Sequence, residues 1–161
     1  MMATTTIDAQ AGLPFIDISR EFDAPRDLVF RAHTDPDLLV QWLGPEKYEM
    51  VIGEFEARDG GRWRYVHRDG DGTEYGFRGV FHGTPTPDLM VQTFEFDGAP
   101  GQVALDTLTL EERDGRTTAR IHSVYQSVEA RDAMIQSGMS EGMESGYARL
   151  DGLLARLVPV G

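Results

Sequence analysis

General acid–base chemistry needs a titratable side chain held at an apolar site. The 161-residue chain offers four histidines for it. His33 falls in a helical pattern and His82 at a strand end, both readable as surface positions. His122 takes the charged side of its strand. His67 alone shares alternation parity with two aromatics, Trp63 and Tyr65, in "GRWRYVHRDG". His67 and Tyr65 are therefore the candidates for catalysis. Asp106 shares the parity of Leu108, but its place near a strand start puts it at the mouth of any interior. Glu95 lies on the parity opposite Phe94. No HxxxH, HExxH or EF-hand pattern marks a metal site, and "RDGDGTE" reads as a hairpin. No GxSxG, P-loop or GxGxxG is present, and with no cysteine there is no thiolate chemistry and no disulfide. Neither a metal nor a cofactor is expected.

A second kind of chemistry, recognition of an apolar molecule, has more residues behind it. Trp63, Tyr65, Phe77, Phe81 and Phe94 fall on strand faces that should meet Met139, Met143 and Tyr147 on a helix. Ligand sites are mostly apolar clefts carrying a few polar groups. Gln92, Ser123 and the hydroxyls of Tyr65, Tyr125 and Tyr147 would supply those here, with Trp42 near the opening. Gly79 between Phe77 and Phe81, and Gly138, Gly142 and Gly146 along the helix, mark close approach by strand backbone or by ligand. Methionines adapt to irregular shapes. The same pattern also fits a filled core.

These residues need elements to position them. Residues 15–22 alternate as a half-buried strand, with Arg20 breaking the apolar face near its end. "DAPRDLVFRAHT" predicts a helix opened by Pro25. Asp35 caps a second helix ahead of Pro36, and Gly44-Pro45 ends it. Strands follow near 48–57, 61–68, 74–83, 89–97, 103–112 and 117–125, separated by Gly- and Asp-rich turns. With the first strand that makes about seven, joined as an antiparallel meander. A short helix around 128–136, set off by Ser137-Gly138, precedes a long one; Ile135, Met139, Met143, Tyr147, Leu150, Leu154 and Leu157 form an apolar stripe. Pro159 closes it. The stripe is the long apolar surface available to cover the sheet.

The predicted class is α+β: a curved antiparallel sheet around a long C-terminal helix, with two short helices after the first strand closing one end. Residues 1–13 read as a frayed tail without a secretory signal, and residues 14–158 as a single domain. A net charge of −12 repels phosphate backbones and anionic membranes. Acids flank the one basic cluster, Arg58, Arg62, Arg64 and Arg68. Nucleic acid and membrane are thus not expected partners, no apolar run is long enough to span a bilayer, and a cytoplasmic location is the default.

The segments "FDAPRDLVFRAHTDPDLLVQWLGP", "GGRWRY", "FRGVF", "PDLMVQTFEF", "TLTLEERDGRT" and "GMSEGMESGYARLDGLL", in that order, resemble the activator-of-Hsp90-ATPase C-terminal-like group of the START/Bet v 1-like (SRPBCC) superfamily. The resemblance covers roughly residues 15–157 and implies the helix-grip fold, with a hydrophobic cavity between sheet and terminal helix. Trp42-Leu43 stands where the group often has two aromatics, and Met143 where it often has one; both changes alter the cavity's shape. Three functions follow as expectations. The first is binding of a small hydrophobic, aromatic, polyketide-like or lipid-like molecule. The second is a cyclase- or hydratase-type reaction in the same cavity. The third is co-chaperone-like protein interaction, disfavoured because the outer side of the sheet reads as Arg, Glu and Thr. A homodimer is compatible with any of them.

Overall fold

The computed structural model describes residues 4–158. Its core is an eight-stranded, wholly antiparallel sheet: β1 (Thr6–Asp8), β2 (Phe15–Phe22), β3 (Glu49–Phe55), β4 (Arg62–Arg68), β5 (Glu74–Val80), β6 (Met90–Phe96), β7 (Val103–Arg113) and β8 (Arg116–Val124). Strands β3 to β8 are consecutive neighbours, and β2 returns to pair with β8 along its full length, giving the order β1-β2-β8-β7-β6-β5-β4-β3. Asp114-Gly115 makes the tightest hairpin, with φ of 54° and 77°, so that Arg113 pairs with Arg116. The expected tail is structured in part: Thr6–Asp8 pairs with Asp17–Ser19 and adds the strand that raises the count from seven to eight.

Two short helices, α1 (Arg26–Thr34) and α2 (Pro36–Leu39), lie between β2 and β3. Pro25 sits at the N-cap of α1, one residue before its expected place in the first turn. Asp35 caps α2, its side chain accepting from the Asp37 amide at 3.0 Å. Trp42 ties the two helices together: its indole N–H donates to Ala32 O at 3.0 Å, and it is only 3% exposed. The expectation that Trp42 stands near an opening is thereby corrected, because a side chain wedged between α1 and the following segment belongs to the core. His33, expected at the surface, packs edge-on against Trp42 at 4.9 Å.

Helix α3 (Val128–Gln136) is capped by Ser127, whose hydroxyl accepts from the Ala130 amide at 3.0 Å. Helix α4 (Met139–Leu157) lays Tyr147, Leu150, Leu153 and Leu154 into the core. Each fully buried leucine contributes about 1.5–3 kcal/mol of apolar transfer. Gly138 is the N-cap of α4, at φ +88°, and with Ser137 makes the expected break from α3 rather than an interior helix position. Gly142 faces Pro45, and Gly146 faces the backbone of Trp42 and Gly44, where an added Cβ would stand 3.0 Å from Trp42 O. The helix glycines therefore admit the loop after α2. Pro159 lies outside the described residues.

Arg20 corrects another expectation. It shares the inward face with Ile16, Ile18 and Phe22, is buried, and spans to α4, where its guanidinium donates to both Asp151 oxygens at 2.8 and 2.6 Å. The same group lies over the Phe22 ring at 4.8 Å and near that of Tyr147 at 5.9 Å. It joins the first long strand to the terminal helix.

Candidate functional site

The concave side of the sheet is built by register. Side chains of directly paired residues share a face, so β4 sends Trp63, Tyr65 and His67 inward, each beside a partner on β3 and β5. Tyr65 stacks on Trp63 at 5.1 Å and on His67 at 5.2 Å. Phe77 lies 5.4 Å from Tyr65 and 5.5 Å from Phe94, continuing the aromatic wall across β5 and β6. Trp63 and Phe81 are fully buried, whereas Tyr65, Phe77 and Phe94 keep partial exposure. The space read at Gly79 is taken by the Trp63 indole, whose Nε1 would stand 2.5 Å from an added Cβ.

His67 is 7% exposed, and its Nε2 has no hydrogen-bond partner. Its ring lies against Gly44 at the end of the α2 segment. Burial, with a smaller contribution from Arg149, pushes its pKa down to about 4, so it is neutral at physiological pH. Arg149 itself donates to Gly44 O.

A polar row crosses the middle of the wall. Gln92 pairs with Asp106, and Asp106 with Ser123. Ser123, 4% exposed, donates from Oγ to Asp106 Oδ1 at 2.7 Å. Burial pushes the Asp106 carboxyl up to about 6, the Ser123 bond pulling the other way. Its field also reaches Tyr65, Tyr125 and Tyr147, whose hydroxyls are held above their ordinary pKa, in each case mainly by burial. Asp106, expected at the mouth, points to the inward face and is half-buried there. Alternation along one strand gives a side chain's face; its depth depends on which residues of β6 and β8 pair with it.

Helix α4 covers this surface. Tyr147 is buried against Phe22 at 5.2 Å and Trp42 at 6.0 Å. Met143 packs on the core while partly exposed, and Met139, one turn earlier, is half-buried. Of the expected lining residues, Trp42, Trp63, Phe81, Ser123 and Tyr147 are buried, and Tyr65, Phe77, Gln92, Phe94, Met139 and Met143 are half-buried.

Between α2 and β3 lies an open cleft of about 490 Å³ lined by Pro36, Asp37, Val40, Met50, Val51, Ile52, Gly53 and Phe55. The sequence reading did not identify it, because it arises between elements. Met50, Ile52 and Phe55 pair with His67, Tyr65 and Trp63 respectively, so the cleft wall continues onto the aromatic face.

The convex side differs. Arg64 pairs with Asp97 at 2.7 Å, Arg78 with Glu95 at 3.3 Å and Arg120 with Glu111 at 2.7 Å. Within the basic cluster, Arg58 pairs with Glu56, and Arg68 lies within 4 Å of both Glu49 and Glu74. Three of the cluster's four arginines are thus paired with acids. Among the described residues there is no group of acids and histidines arranged to hold a metal, and no helix is long and apolar enough to cross a membrane.

A curved antiparallel sheet holding a long C-terminal helix on its concave face, with two short helices after β2, is the helix-grip fold of the SRPBCC class. Within it, the chain belongs to the family described as Activator of Hsp90 ATPase homolog 1-like protein, which matches residues 23–155. A crystal structure of a protein from Rhodobacter sphaeroides is similar at 30% identity and a TM-score of 0.86, over 94% of this chain and 99% of that one. A solution structure from Arthrobacter aurescens is similar at 27% identity and 0.84, over 94% and 91%. Protein Ms6760 from Mycobacterium smegmatis shares the fold at 24% identity and 0.85, over 95% and 97%. Among curated proteins none matches the chain.

Proposed function

We propose that the chain binds a small apolar molecule between the concave face of its sheet and α4, admitted through the cleft between α2 and β3. The observation that carries this is the residual exposure of Tyr65, Phe77, Gln92, Phe94 and Met143 on the inward surface. A filled core leaves such side chains none. In the proposed site these side chains form an aromatic wall and an adaptable methionine roof around the guest. The family and fold support the reading, since both are consistent with small-molecule binding.

Native mass spectrometry of the protein purified from its own host tests it. A co-purified apolar compound, released on denaturation and reduced by Phe94→Ala or Met143→Ala, is the expected result. Protein that carries nothing and takes up no apolar dye would overturn it.

An enzymatic reading has its own support, a neutral His67 and a half-buried Asp106 on the same inward face of the sheet. It requires turnover of the bound compound to fall in His67→Gln while binding is retained.

A further inference from the structure

The interior cations are already engaged. Arg20 is held bidentately by Asp151, and Arg149 by Gly44 O. Asp106 lies mid-sheet in the row Gln92–Asp106–Ser123 and accepts a neutral hydroxyl on Oδ1; Oδ2 has no hydrogen-bond partner among the described residues. Asp106 is half-buried and forms no ion pair among the described residues; a partly desolvated carboxylate gains from a cation placed beside it. Beside it stands Phe94, one diagonal step across the β6–β7 pair, and beyond that Phe77 and Tyr65. Aromatic faces attract organic cations, and a net charge of −12 draws cations toward the molecule.

We infer that the proposed site selects apolar molecules bearing a protonated amine, which Asp106 anchors while Ser123 orients the carboxylate. The inference rests on the ligand-binding reading above and adds the polarity of the guest. Its acid limit follows from the carboxyl, whose transition near 6 leaves Asp106 ionised at neutral pH. The groups facing it are Ser123 and Tyr125 from the β8 end, Gln92 from β6, Tyr65 from β4 and Tyr147 from α4, the last also within the fields of Arg20 and Glu144. The tyrosines stay neutral throughout the range that matters.

Three matched probes test it by isothermal titration: naphthylethylamine, naphthylethanol and naphthylacetate. At about pH 8, where an alkylamine is still protonated, the amine should bind on the order of tenfold more tightly than the alcohol, and the acetate more weakly than either. Asp106→Asn should abolish the preference, so that amine and alcohol bind with equal affinity. Should that variant fail to fold, the wild type gives the same answer, because the preference must disappear as pH falls below the Asp106 transition. Equal affinity for amine and alcohol, or a preference that survives both Asp106→Asn and acid, would overturn the inference alone. Failure of all three probes to bind folded wild-type protein would overturn the ligand-binding reading with it.

Discussion

His67 and Asp106 make opposite demands on the folded state as pH changes. An unfolded histidine protonates near 6.5, the buried ring only near 4. In that window the unfolded chain holds more protons, so acidification costs stability, on the order of 3 kcal/mol at full extent. Asp106 is protonated up to about 6 when folded against an ordinary 3.8, so its contribution is lost as pH rises. Relative to wild type, His67→Gln should therefore lose the acid penalty below about 6, and Asp106→Asn should lose the penalty that grows above about 4. Urea titrations at stepped pH measure both slopes; parallel curves for all three proteins would contradict the assignment. Gly44 sits beneath the same histidine at φ +88°, and a Cβ there would stand 2.1 Å from His67 Cε1. Gly44→Ala should lose about 2–4 kcal/mol from backbone strain and overpacking together, read as a lowered urea midpoint. Period two was enough to place His67 beside Trp63 and Tyr65. It put Asp106 on the Leu108 face, but not beside Gln92 and Ser123, which only strand pairing sets.

The Arg20–Asp151 link belongs to the scale of elements, because it fastens β2 to α4. Asp151→Asn leaves a buried guanidinium with reduced compensation. The aspartate side chain is 42% exposed, so solvent moderates the loss to about 1–3 kcal/mol rather than the larger figure for fully buried pairs. Arg20→Met combined with Asp151→Asn should be more stable than Asp151→Asn alone, and chemical denaturation decides the order. Helix α4 was legible from its apolar stripe, α2 from Asp35-Pro36, and the long strands from alternation. Arg20 was misread because a single charge in an apolar face looks like a strand end until its partner, 131 residues away, is known. Gly138 was legible with Ser137 as the break between helices, although its spacing also matches Gly142 and Gly146; its φ makes it a turn. Three residues, Thr6–Asp8, are too few for any period to show.

At the scale of the molecule, the order of elements was sufficient for the fold, since one long apolar helix and one apolar sheet face can cover each other in few ways. The way in was not legible, because the cleft is made by α2 and β3 together. Ile52→Trp, placed on its wall, should slow uptake of a fluorescent apolar dye severalfold. Leu105→Trp, on the outer side, should not; stopped-flow fluorescence compares them, and equal rates would move the opening elsewhere. The short strand β1 carries a practical lesson. The family match begins at residue 23, yet the backbone amides and carbonyls of Asp17–Ser19 find their partners in Thr6–Asp8. A version trimmed to start at residue 14 would bare that ribbon margin to neighbouring molecules. Concentrated stocks of it should self-associate, while the longer chain stays dispersed.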